Sequence, residues 1–145
     1  DYGGERNWDE AVNAFKLALT CAQIKQEKDR IIAGLLHHLA WLYRYKNLHD
    51  EERRFLQHAL DAYIRVYEFE KEEIRNARLM YLIGELHRRL GQYDEAVKWF
   101  SRVVDDKRIM DAAMIRASRE QWAAVRAEMS GNPLTLPDEM DLMKR

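Results

Sequence analysis

The sequence predicts an all-α protein: a right-handed stack of antiparallel helical hairpins, about six helices in all, the last acting as a C-terminal cap. Three observations carry this expectation. Apolar residues recur at helical spacing along nearly the whole chain. Helix breakers are scarce, with 2 prolines and 6 glycines in 145 residues. The chain also superimposes on itself when slid by 44 residues, and such self-similarity marks repeat architectures.

The first helix reads from "NWDEAVNAFKLALTCAQI", where Trp8, Ala11, Val12, Phe15, Ala18 and Leu19 form one stripe and Asn7 with Glu10 suggests a capping pair. In the same helix Cys21 stands at helical spacing from Ala14, Leu17 and Ala18, which predicts a buried thiol. The second helix, "RIIAGLLHHLAWLYRYK", has Ile32, Leu35, Leu36, Leu39, Leu42 and Tyr43 as its core face. A third opens on acids that suit the helix dipole, "DEERRFLQHALDAYIRVYEFE". The fourth is "IRNARLMYLIGELHRRL", closed by Gly91 in a position that favours left-handed backbone. "YDEAVKWFSRVV" makes the fifth, and a sixth runs from about Asp111 to Met129 with Met114, Ala117, Trp122, Val125 and Met129 inward. No Gly or Pro marks a break near Lys25–Asp29 or Glu70–Glu73, so a turn and a kinked continuous helix both fit there. Residues 1–132 are thus expected to form the repeat domain, and 133–145 a mobile tail.

In the 44-residue register Ala33 falls on Ala77, Leu39 on Ile83, Ala40 on Gly84, Leu42 on Leu86, Asn47 on Gly91 and Phe55 on Trp99. A shift of 41 brings Phe15 onto Leu56 and Ala18 onto Ala59, which adds the first helix to the series.

From Ala77 to about Met110 the residues resemble a tetratricopeptide repeat, with small Gly84, then Gly91-x-Tyr93-x-x-Ala96 across the turn, then Phe100 and Val103. Small residues at 84 and 96 let antiparallel helices approach closely, and the aromatics fill the space between hairpins. "NWDEAVNAFKLAL" is similar to the second helix of another copy. The middle copy departs from the pattern: Glu52 stands at the small position and His49 at the turn aromatic. The chain also resembles the C-terminal region of an uncharacterised Firmicutes family with a cysteine-rich, zinc-ribbon-like N-terminal segment, through "YGGERNWDEAVNAFKLAL", "LAWLYR" and "IGELHRRLG". Asp1 is not a start methionine and a hairpin is under way by Trp8, so the chain reads as part of something longer.

Composition narrows the function classes. Hydrophobic residues make up 47% and charged ones 34%, as in a folded, soluble protein. A formal net charge of −1 provides no overall field for nucleic acid, which is disfavoured as a partner. A single cysteine excludes an internal disulfide and a multi-cysteine metal site within the chain. No apolar run is long enough to span a membrane and no signal peptide is visible, so a cytoplasmic location is expected. The five histidines, 37, 38, 49, 58 and 87, form no HExxH or paired metal-ligand spacing, and no nucleophile motif occurs. No catalytic residue, metal ligand or cofactor is assigned, and an enzyme is not expected.

The resemblance implies a concave groove lined by the first helix of each hairpin. Transferred through the register, its positions are Gly34, His37, Trp41, Arg44 and Tyr45, then Arg78, Tyr81, Glu85, Arg88 and Arg89. The face is aromatic and basic, which suits an acidic or aromatic-bearing peptide. The Lys and Asn clamp of chaperone-binding members is missing, which disfavours a terminal carboxylate. The expected function is a non-catalytic protein–protein interaction module; the alternative is a scaffold for an upstream metal- or nucleic-acid-binding segment. An uncapped first helix also predicts a homodimer through an exposed apolar end that includes Trp8, Val12 and Phe15.

Overall fold

A computed structural model describes residues 5–70 and 76–131. Six helices follow in chain order: α1 (Glu5–Ile24), α2 (Asp29–Tyr45), α3 (His49–Glu70), α4 (Ala77–Arg89), α5 (Tyr93–Asp105) and α6 (Ala112–Met129). No strand occurs among the described residues, and the fold is all-α. The chain divides into two compact units, Asp1–Val66 and Tyr67–Arg145. The predicted tail, 133–145, lies outside the described residues, as does 71–75, where one of the two uncertain helix breaks falls.

The other break is a true turn, and its geometry recurs. At the end of α2, Asn47 takes a left-handed φ of 61°; 44 residues on, after α4, Gly91 takes 78°. After α2 the Leu48 N–H donates to the Tyr43 carbonyl (2.9 Å), and after α4 the Gln92 N–H donates to the His87 carbonyl (2.8 Å). Helix α1 ends the same way: Gln26 has φ 54° and the Glu27 N–H reaches the Ala22 carbonyl at 2.9 Å. Each turn satisfies carbonyls that a helix end leaves open, by the six-to-one bond of a Schellman motif. The 44-residue register of the sequence is thus matched at the turns after α2 and α4, while the turn after α1 repeats the motif outside that register.

In the first unit α1 packs on α2. Ala11 and Val12 meet Leu39, Leu42 and Tyr43, with Trp8, Phe15, Leu19 and Phe55 against that cluster. Tyr43 stacks on Phe55 of α3 at 5.3 Å between centroids. Three expectations are corrected here. Asn7 lies inside α1, which begins by Glu5, so it does not cap that helix. Trp8, Val12 and Phe15 face α2 and are not an exposed end. Cys21 is exposed together with Ala14, Leu17 and Ala18, so the four share a stripe as the spacing implies, but on the outer side.

In the second unit α4 packs against both α5 and α6, and α5 against α6. Gly84 is required here: a Cβ at this position would lie 2.7 Å from Cε1 of the buried Phe100 ring, so the residue pair sets how close α4 and α5 come. Helix α4 starts at Ala77, three residues later than Ile74, and α6 starts from a cap in which Asp111 Oδ1 accepts from the Met114 N–H at 3.1 Å. At the start of α3, His49 Nδ1 lies 3.1 Å from Glu52 Oε1, so the two residues that depart from the tetratricopeptide pattern pair with each other.

Candidate functional site

In the first unit, Trp41, Arg44 and Tyr45 occupy i, i+3 and i+4 of the last turns of α2, so they lie on neighbouring parts of one face. Trp8 comes up from α1 and stacks on Tyr45 with centroids 5.1 Å apart and planes 6° from parallel. Tyr45 in turn leans on Trp41 at 6.2 Å, and the Arg44 guanidinium lies over the Trp41 ring at 5.2 Å. An ion pair between Lys46 and Asp9 ties the end of α2 to the start of α1 beside this ladder. Trp41 is buried, Trp8 is half-buried, and Tyr45 and Arg44 are exposed. The result is a ledge whose inner layer is fixed by packing and whose outer layer is an aromatic ring with a cation beside it.

His37 is not on that ledge. It is buried, with Nδ1 3.3 Å from the Tyr63 hydroxyl and its ring edge-on to Tyr63. His37 and Trp41 were expected at a ligand surface, but α2 is flanked by α1 and α3, which buries it over more than one stripe. Gly34 is half-buried, with open space where a Cβ would stand.

The second unit turns its share of the predicted groove inward in the same way. Tyr81 and Glu85 are buried, at 1% and 0% exposure, because α6 lies on α4. The Tyr81 hydroxyl accepts from Gln121 Nε2 of α6 at 3.3 Å and feels the charge of the nearby Glu85 carboxylate. Burial, reinforced by the Glu85 charge, pushes the Tyr81 hydroxyl far above its ordinary value. Arg88 reaches Glu128 of α6 at 3.8 Å, and Tyr93 donates to the same carboxylate, which raises the Tyr93 pKa. Tyr81, Glu85 and Arg88 therefore belong to a polar network that joins α4 to α6, a structural task and not a docking one. Arg78 and Arg89 are half-buried.

Gln121 and Glu128 were invisible as site residues in the sequence. The only signal was a polar residue, Gln121, inside the apolar stripe of Met114, Ala117 and Val125. An open depression of about 840 Å³ runs along α5, lined by Tyr67, Met80, Lys98, Arg102 and Asp105 among others. Its charges are engaged locally: Lys98 with Glu95 at 3.1 Å, and Arg102 over Trp99 at 4.6 Å. Among the described residues, no group of three or more His, Cys, Asp or Glu is placed to hold a metal ion. No described helix is long and apolar enough to cross a membrane.

These features define an all-α protein of six described helices with an aromatic and basic ledge at the end of α2. The chain belongs to a bacterial family described as an uncharacterized protein conserved in bacteria (DUF2225), whose model matches residues 1–125. No curated protein and no solved structure matches it.

Proposed function

We propose that this chain is a non-catalytic protein-interaction module that takes an acidic, aromatic-bearing peptide on the ledge of Trp8, Trp41, Arg44 and Tyr45. One observation carries the reading: a stacked aromatic ladder, rigid on its inner side, presents an exposed Tyr45 ring beside the exposed Arg44 guanidinium. Rings held in this way offer contact area at little entropic cost, and arginine adds bidentate recognition of carboxylates. The groove assigned to the second unit is no part of this proposal, since Tyr81 and Glu85 are interior. Tetratricopeptide-like character of the hairpins is part of it, supported by the Gly84–Phe100 approach and the turns at Asn47 and Gly91. A cytoplasmic setting is the one in which such a module would meet its partner.

The test is a ¹⁵N NMR titration with a synthetic dodecapeptide rich in Asp and Glu around one Phe. The indole N–H signals of Trp8 and Trp41 should move while those of Trp99 and Trp122 stay still. Arg44→Ala and Tyr45→Ala should each weaken binding about tenfold, the equivalent of ~1.4 kcal/mol. Equal shifts with a neutral control peptide, or none at Trp8 and Trp41, would refute the reading.

A further inference from the structure

Helix α1 is apolar on two opposite sides. One side is the core stripe described above. The other carries Ala14, Leu17, Ala18, Cys21 and Ile24, all exposed, with Leu17 66% and Ile24 77% accessible. Glu10, Ala14, Leu17, Cys21 and Ile24 follow at alternating spacings of 4 and 3. That alternation is the seam of a helix pair, and an amphipathic surface helix would place polar residues there. The face is contiguous and lies wholly within the first unit.

We infer that this face pairs with the same face of a second copy, α1 against α1 in antiparallel orientation about a two-fold axis. Charge and size both select this occupant. The seam begins with an acid, Glu10, and ends beside two exposed lysines, Lys25 and Lys28, so a parallel pair sets like charges together and an antiparallel pair sets opposites together. A two-fold at the level of residue 19 brings Ala14 of one copy to Ile24 of the other and Leu17 to Cys21, since each pair of numbers sums to 38. It also sets Glu10 just past the end of the partner's α1, where Lys25 and Lys28 stand in the turn before α2. Every apolar layer then joins a small side chain to a large one, the condition for close interdigitation. Antiparallel alignment also sets the helix dipoles head to tail. A closed two-fold uses the patch up, with no surface left to extend a filament. This pairing does not depend on peptide binding at the ledge, and Trp8 and Tyr45 are no part of it.

Multi-angle light scattering and sedimentation equilibrium of the 145-residue chain over a wide concentration range test it. A monomer–dimer equilibrium is expected. Leu17→Glu and Ile24→Glu, both on the outer face, should leave the circular dichroism unchanged and raise the dimer dissociation constant at least about 100-fold, since each change enters the interface twice. Glu10→Lys should weaken the dimer, and adding Lys25→Glu and Lys28→Glu should restore it. A chain that stays monomeric at the highest concentration assigns the face to another occupant and overturns the inference. So does a dimer indifferent to Leu17→Glu. A dimer that Glu10→Lys leaves intact, or that the added reversals fail to restore, overturns the antiparallel register.

Discussion

Replacing Gly84 by alanine puts the α4–α5 contact to a quantitative test. The new methyl carbon would lie 2.7, 2.9 and 3.0 Å from three atoms of the Phe100 ring, which is fully buried and has Tyr81 5.9 Å away on one side. Ordinary carbon contacts need ~3.5–4 Å, so the ring or the helix must give by several tenths of an ångström in a packed interior. Overpacking of this kind costs ~1–3 kcal/mol, while alanine in mid-helix recovers ~0.5–1 kcal/mol of backbone entropy. The net expectation is a loss of about 1–2 kcal/mol. Gly34 supplies the control: it too is mid-helix, but nothing lies within 4 Å of its would-be Cβ. Gly34→Ala should therefore gain about 0.5–1 kcal/mol. Urea unfolding followed by circular dichroism reads both, and the melting temperatures should move in opposite directions by a few degrees. Combining Gly84→Ala with Phe100→Leu should show a coupling of at least about 1 kcal/mol, because the smaller side chain leaves room for the methyl. If Gly84→Ala stabilises as much as Gly34→Ala, or the double variant is additive, close approach is not the reason for the glycine.

Other measurements address the turns, caps and ionisable groups. Gly91→Ala should cost ~1–2 kcal/mol through its left-handed φ of 78°, while Gln26→Gly should gain ~0.5–1 kcal/mol by relieving a non-glycine residue at 54°, both read by urea unfolding. Asp111→Ala should lose ~1 kcal/mol with the cap to Met114, again by denaturant midpoint. The side chain and backbone N–H of Arg108 hold the Asp106 carboxyl at about 2, down from 3.8, so its contribution to stability is present above pH 4 and lost as pH falls towards 2. A ¹³C titration of that carboxyl should show the low midpoint, and Arg108→Ala should return it towards 3.8. Tyr81 runs the other way: a raised pKa favours the neutral phenol, so its contribution holds below pH 10.0 and fades above it. In absorbance titration one tyrosine should ionise only with unfolding, and Tyr81→Phe should remove that step.

Six helices and the turns after α2 and α4 were legible because they rest on local rules: 3.6-residue periodicity, a left-handed glycine and acidic helix starts. The turn at Gln26, by contrast, carries no Gly or Pro to announce it. The faces were harder. Helix α1 carries two apolar stripes, and spacing alone cannot say which one meets a neighbour, so Trp8, Val12 and Phe15 were expected outside and Cys21 inside. Similar reasoning explains the groove. Trp41, His37, Tyr81 and Glu85 sit at helical spacing with exposed Arg44 and Tyr45 or half-buried Arg88, and only the packing of α1, α3 and α6 sorts interior from surface. The buried Gln121 amide finds its partner, the Tyr81 hydroxyl, 40 residues away in sequence, beyond the reach of any local pattern.

The left-handed turns at Asn47 and Gly91 bracket a stretch of 44 residues with the same backbone step at each end. The stretch from Asn47 to Leu90 begins at one such residue and stops just before the next, Gly91, so it ends ready for the same backbone step with which it began. A second copy spliced in before Gly91 would meet its flanks through bonds the chain already makes. Such an insertion would require no new turn geometry at either end.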